Sequence, residues 1–361
     1  MALMLALVLA IPLGLDLYMP VPEDNPLTIE KVALGRRLFF DRRLSRSGSI
    51  SCASCHHPDR AFSDARPLAV GVFGRIGRRN APALINRGYG RSFFRDGRVA
   101  TLEEQVTKPI EDPNEMDLPV VEAARRAGVS PENLSRALAS YIRSILSGDS
   151  PYDKFINGDR RALSAEQQRG LQIFRGRGNC TACHVGPSLS DEQFHNTGVA
   201  YRDDAFHDDG RFAVSRKTND RGAFKTPTLR EIARTGPYMH NGSLATLQEV
   251  VDFYDGGGRA NPHLDQEIRP LRLTAADKQA LVEFLKSLSG SIREGRRPRA
   301  ALQIRQAPAT PTLLTMPLPV QSGRAGDPAS YQVLGTNGVI WTITSEGVAL
   351  KGEGTYSAPP E

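Results

Sequence analysis

All four cysteines of the chain fall in two copies of one pattern, Cys52-Ala-Ser-Cys55-His56 and Cys180-Thr-Ala-Cys183-His184. Two thiols three positions apart reach the two vinyl groups of one haem, and the histidine that follows directly is left facing the iron. A zinc site, a redox-active thiol pair or a structural disulfide would also use paired cysteines. None of them requires a histidine immediately after each pair. The spacing therefore predicts two covalently bound haem c groups, one on Cys52 and Cys55 and one on Cys180 and Cys183, with His56 and His184 as proximal iron ligands. Haem is attached in this way outside the cytoplasm, so the chain is expected to be exported.

The elements around the motifs repeat. Leu27-Thr28-Ile-Glu30 leads through Gly35 to Leu38-Phe39 and then Cys52, while Leu163-Ser164-Ala-Glu166 leads through Gly170 to Ile173-Phe174 and then Cys180. Each copy opens on a hydroxyl residue able to cap a helix, followed by apolar residues at helical spacing. The repeat predicts a mainly α protein of two related cytochrome c-like haem domains, 21–160 and 161–295. Each domain is expected to close on a helix, Pro131 to Ser147 begun by Ser130 and Ala275 to Leu288 begun by Thr274, both stopping near a glycine, Gly148 and Gly290. The long loops between these landmarks, rich in Gly, Pro, Asn and Arg, need an organising centre. A haem in each domain would supply it.

The first eighteen residues are nearly all apolar and are followed by a polar, proline-rich stretch, Pro20 to Pro26, and residues 1–20 are set apart on that ground. They are too short for a comfortable membrane span and are read as a signal peptide. Because a basic leader and a small-residue cleavage site are missing, an uncleaved membrane anchor is the alternative. A periplasmic or otherwise exported location, anchored in that alternative, follows. Residues 296–361 turn Pro-, Ala- and Thr-rich and then β-prone, as in Gly338-Val-Ile-Trp-Thr-Ile-Thr344, and read as a linker with a partial immunoglobulin-like β segment. The net charge of +6 comes mostly from dispersed arginines, with clusters at Arg75 to Arg79 and Arg293 to Arg299. These are expected to be solvated surface or docking patches for an acidic partner. No nucleic-acid-binding motif accompanies them, and no nucleic acid is expected as a partner.

Further motifs resemble the di-haem cytochrome c peroxidase and MauG family: Asn25-Pro-Leu-Thr28, Leu34-Gly-Arg-Arg-Leu-Phe-Phe-Asp41, Ser51-Cys-Ala-Ser-Cys-His-His-Pro58, Arg79-Asn-Ala-Pro82 and Asp96-Gly-Arg98 in the first half, and Thr226-Pro-Thr-Leu-Arg230 and Thr235-Gly-Pro-Tyr-Met-His-Asn-Gly242 in the second. The likeness spans about residues 22 to 290. It implies that the first haem is peroxidatic, with Gln105 and Glu115 lining its distal side. The chemistry agrees, since peroxide cleavage needs a carboxylate to move a proton between the two oxygens and an amide can orient the substrate. Without the motif, Glu115 would read as an exposed acid in a polar loop.

In many peroxidases of the family a histidine in the loop after the first haem motif blocks the distal site until the second haem is reduced. Here that loop, Val70-Gly-Val-Phe-Gly-Arg75, holds no histidine. The first haem is therefore expected to be five-coordinate and open. The segment Thr246-Leu-Gln-Glu-Val-Val-Asp-Phe-Tyr254 matches the one that supplies the second haem's distal ligand, which is methionine in ordinary peroxidases and tyrosine in MauG. The resemblance implies Tyr254 as that ligand, with Met239 and His240 as rivals; a core tyrosine on an amphipathic helix is the plain alternative. The tryptophan usual between the haems is replaced by Arg95, and the sole tryptophan, Trp341, lies in the C-terminal segment. The resemblance also implies a calcium ion held by the Asn80 side chain and the backbone oxygens of Thr235 and Pro237, oxygen ligation that suits a hard cation.

The reading is a peroxidase that reduces hydrogen peroxide at the haem on His56, with electrons entering by the haem on His184 from a small cytochrome c or cupredoxin. The alternatives are a MauG-like enzyme that oxidises a side chain of a partner protein, and a plain di-haem electron carrier.

Overall fold

The computed structural model describes residues 11–295 and four strands between Tyr331 and Tyr356. The chain divides into two units, Met1–Pro298 and Arg299–Glu361.

The first unit is mostly helical and is built on two helix pairs. Ile29–Phe39 is capped by Thr28, whose hydroxyl accepts from the Lys31 amide, and it packs on Pro131–Arg143, capped by Ser130. Ala165–Arg175 is capped by Ser164 and packs on Ala275–Lys286, capped by Thr274. All four hydroxyl residues cap as their positions predict. The glycine in each repeat has a steric cause: a Cβ on Gly35 would lie 1.9 Å from the Ala137 carbonyl oxygen, and one on Gly170 would lie 2.0 Å from that of Ala280. Each pair crosses at its glycine.

Two apolar cores follow. Phe39, Phe62, Leu134, Leu138 and Tyr141 are fully buried in the first, where Phe39 lies 5.2 Å from Tyr141. Leu171, Phe174, Leu281, Phe284 and Leu285 fill the second, with Phe174 5.1 Å from Phe284. The aromatic pair at each helix crossing repeats with the motif.

The helix begun by Ser130 ends at Arg143, four residues short of the expected Ser147. Ser144 caps it, its hydroxyl donating to the Tyr141 carbonyl, and the chain then becomes a buried strand, Ile145–Gly148. That strand pairs antiparallel with Ser291–Glu294, with Ile145 opposite Glu294 and Gly148 opposite Ser291. The helix begun by Thr274 ends at Lys286, near Gly290 as expected, and Gly290 also allows the strand pairing, because a Cβ there would lie 2.0 Å from the Gly148 carbonyl oxygen. Beside the strands, buried Glu231 accepts from the Ser147 hydroxyl and the Gly290 amide, tying the two halves together.

Residues 11–20 run against the body. The Leu13 amide donates to the Asp149 carboxylate, the Asp149 amide donates to the Leu13 carbonyl, and the Gly14 carbonyl accepts from Arg230. No helix among the described residues is long and apolar enough to cross a membrane. In the second unit, Tyr331–Leu334, Ile340–Thr344, Gly347–Leu350 and Thr355–Tyr356 form one antiparallel sheet of sequential neighbours. Residues 1–10 and the proline-rich linker lie outside the described residues.

Candidate haem and peroxide site

One cavity of about 690 Å³ is lined from both halves: by Cys55, His56, Gln105 and Glu115 on one side and by Cys180, Cys183, His184 and Tyr254 on the other. A side pocket of about 50 Å³ adds Cys52 to Cys55, His56, Gln105 and Glu115. All four cysteines are free thiols. Burial pushes Cys52 and Cys180 up to about 12 and Cys55 up to about 11. At Cys52 and Cys55 this favours the neutral thiol over the thiolate that a redox-active pair needs.

The two histidines share one local geometry. Each Cys-x-x-Cys segment forms a single tight turn, and His56 Nδ1 then lies 3.1 Å from the Phe62 carbonyl oxygen, His184 Nδ1 2.9 Å from that of Leu189. A carbonyl can only accept, so Nδ1 carries the proton and Nε2 keeps its lone pair. Metal-bound histidines have this arrangement. Burial lowers both imidazole pKa values and so favours the neutral form that ligates. Paired, half-buried thiols beside an oriented imidazole fit a covalently attached haem at each motif.

Glu115 is positioned by the loop after the first motif. The Val72 amide donates to the Glu115 carbonyl at 2.8 Å, Arg75 donates to the Pro113 carbonyl at 2.6 Å, and Arg75 also pairs with Asp117 at 3.0 Å. A Cβ on Gly71 would lie 2.0 Å from the Asn114 carbonyl oxygen, so glycine lets the two loops close. Burial, with Asp112 adding negative charge and Arg98 opposing it, raises the Glu115 carboxyl to about 7. Gln105 ends the helix Leu102–Gln105, whose cap is Thr101.

Tyr254 lies on the face of Leu247–Asp255 that also carries Leu247, Val250 and Val251, and all four line the cavity. Burial raises its phenol pKa, with the nearby cysteines adding to the shift. Met239 and His240 line the same cavity. The His240 ring stacks on Phe224 with centroids 3.8 Å apart and planes 10° apart.

Arg95, Asn80, Thr235 and Pro237 line the cavity as well. Arg95 donates from Nη2 to Asn80 Oδ1 at 2.8 Å and from Nε to the Asn80 carbonyl at 3.2 Å. Asn80 in turn donates from its side chain to the Arg66 carbonyl and from its backbone to that of His240.

The basic cluster Arg75 to Arg79 is only partly surface. Arg79 pairs with Asp96 at 2.7 Å and Asp208 at 2.8 Å, and Arg75 holds Asp117. A second inner network joins Arg87 and Lys225 to Glu192 at 2.8 and 3.3 Å. No motif marks that network; its members are brought together by folding alone. Asp112, which raises Glu115, was within reach of the sequence three residues upstream. Among the described residues one group, Cys183, Asp191 and His195, has its donor atoms close enough for a metal ion, but it shares Cys183 with the haem motif.

This fold and donor set define a c-type cytochrome in which one cavity joins two haem motifs. A family model described as di-haem cytochrome c peroxidase matches residues 29–161. The chain is 40% identical to the methylamine utilization protein MauG of Methylorubrum extorquens over 74% of this chain and 81% of that protein. It is 36% identical to the cytochrome-c peroxidase IdrP1 of Pseudomonas sp. strain SCT over 75% of this chain and 84% of the relative. The crystal structure of a MauG-like protein associated with microbial copper homeostasis superposes with a TM-score of 0.70 at 36% identity, covering 78% of this chain and 93% of that one. The chain belongs to the di-haem cytochrome c peroxidase and MauG family. It is an oxidoreductase of the cytochrome c peroxidase type, and membership implies two c-type haems.

Proposed function

We propose that the chain reduces hydrogen peroxide to two waters at the haem held by Cys52, Cys55 and His56. Two electrons enter through the haem held by Cys180, Cys183 and His184, and two protons come from solvent. The carrying observation is that Glu115, its carboxyl raised to about 7, lines the cavity together with Gln105, Cys55 and His56. When bound, the haem supplies an iron that takes up peroxide and exchanges electrons with it. Glu115 accepts the proton from the oxygen nearer the iron and returns it to the departing oxygen. Gln105 orients the peroxide through its amide, and the Val72 amide holds the Glu115 loop in place. His56 is kept in one tautomer by the Phe62 carbonyl. The donor is a small cytochrome c or cupredoxin, and the compartment is the periplasm or its equivalent, where haem c is attached. The loop Val70 to Arg75 has no histidine and so would offer no imidazole to the distal side of a haem held by His56.

Optical and electron paramagnetic resonance spectra of the ferric holoprotein, recorded before and after stoichiometric peroxide and then with a reduced small cytochrome, test this reading. A high-spin haem that reacts at once, with the cytochrome oxidised over many turnovers, is expected. A purely low-spin, bis-histidine first haem would overturn the open site, and a peroxide-inert ferric protein would leave an electron carrier.

A second reading, MauG-like oxidation of a partner protein's side chain, is favoured by Tyr254 at the second motif. A phenolate favours ferric and higher oxidation states over ferrous iron, so the second haem would store oxidising equivalents instead of relaying electrons. A long-lived oxidised species that leaves the cytochrome reduced would select this reading.

A further inference from the structure

A calcium ion between the haem sites, as the family resemblance implies, would take Asn80 Oδ1 and the backbone oxygens of Thr235 and Pro237. The observed contacts of Asn80 do not fit such an ion. Its Oδ1 and its carbonyl both accept from the Arg95 guanidinium, at 2.8 and 3.2 Å. Turning the amide away from Arg95 would also break its bond to the Arg66 carbonyl at 2.8 Å, and Asn80 is only 5% exposed. The remaining proposed ligands are two backbone carbonyls, so most of the six to eight oxygens of a calcium shell would have to be water.

Charge points the same way. Arg95 makes no ion pair with any described residue. Arg79, whose charge acts on Arg95, engages Asp96 and Asp208 at 2.7 and 2.8 Å, and Arg98 shares Asp96 at 2.9 Å. A dication added beside these guanidinium groups would meet like charge in a poorly screened interior.

We propose that Arg95 replaces the ion: its guanidinium is a built-in cation that organises Asn80, and the protein holds no calcium between its two haem sites. The residue also does the mechanical work of a bridging ion. Its side chain holds the Asn80 segment of the first half, and its carbonyl accepts from the Lys225 amide of the second half at 2.8 Å. The substitution that removes the inter-haem indole is the same one that supplies this charge. The assignment holds whether the enzyme uses peroxide for turnover or for modifying a partner.

Metal analysis and thermal unfolding of the di-haem holoprotein test it. Protein passed through calcium-containing buffer and desalted is expected to carry well under one calcium per chain, and its Tm and ferric spectra are expected not to move with a calcium chelator. Equimolar calcium, or a Tm that falls on chelation, would overturn the proposal. In Arg95→Gln the cation is gone while an amide stays, and a Tm lower by roughly 5 °C is expected, restored by millimolar calcium that leaves the wild type unchanged. A variant as indifferent to calcium as the wild type would show that Arg95 is not what fills the site. The wild-type metal content decides the question even if the variant fails to fold.

Discussion

Glu115 is raised to about 7 chiefly by burial, so near neutral pH it is divided between acid and carboxylate. Only the carboxylate can take the proton of peroxide. The second-order rate with peroxide is therefore expected to rise as pH passes up through about 7 and to fall as the carboxyl fills with protons below it. Glu115→Gln should lower that rate by about 10² to 10⁴ and abolish the rise, while leaving the ferric spectrum intact; stopped-flow traces across pH 5 to 9 would show both. At the second haem, Tyr254→Met exchanges a phenol for a thioether. The midpoint potential of that haem should climb by on the order of 100 mV or more, read in a spectroelectrochemical titration. An unchanged potential would exclude Tyr254 as the ligand and return attention to Met239 and His240.

At the scale of elements, the two helix crossings are limited by single glycines. An alanine at Gly35 or Gly170 would meet the carbonyl of Ala137 or Ala280 at about half a normal contact distance, forcing the pair apart. Each substitution should cost roughly 1–3 kcal/mol or more, seen as a lower midpoint in denaturant unfolding with the haems attached. Equal stability would mean that the helices slide without loss, contrary to the buried aromatic pair at each crossing. These glycines were visible in the repeat as a spacing, but the spacing alone gave no hint of the carbonyl each one faces. The Ile145–Gly148 strand shows the same limit. Its apolar residues suit a helix and a buried strand equally, and the partner that decides between them, Ser291–Glu294, lies far along the chain.

The whole molecule is tied across its halves by buried ionic groups as well as by backbone. Burial tends to raise Glu192, but the charges and hydrogen bonds of Arg87 and Lys225 outweigh it and bring the carboxyl down to about 2. A carboxyl held below its ordinary value stabilises the fold above about 4.5, and that contribution is lost as pH falls toward 2. Unfolding free energy should therefore drop through this window. In Glu192→Gln the drop should flatten, and stability at pH 7 should fall by about 3 kcal/mol because Arg87 and Lys225 lose their partner. Denaturation curves at several pH values would check both; a wild type whose stability is flat from pH 4.5 to 2 would refute the link.

The sequence by itself determined the chemistry that local spacing encodes. Two Cys-x-x-Cys-His runs specify their own attachment geometry, hydroxyl residues ahead of apolar periodicity specify helix starts, and the repeat of both announces two similar halves. The run holding Gln105 and Glu115 was legible only through its resemblance to the family's motif; by itself Glu115 read as an exposed acid in a polar loop. Only the tertiary structure decided what depends on residues distant in the chain meeting. It joined the two motifs in one cavity, clamped Glu115 through Val72 and Arg75, paired the ends of the halves as strands, and set Arg95 against Asn80. A substitution such as Arg95 is a plain departure in the sequence; its meaning lies in the oxygen atoms it reaches, and one-dimensional spacing carries no information about those.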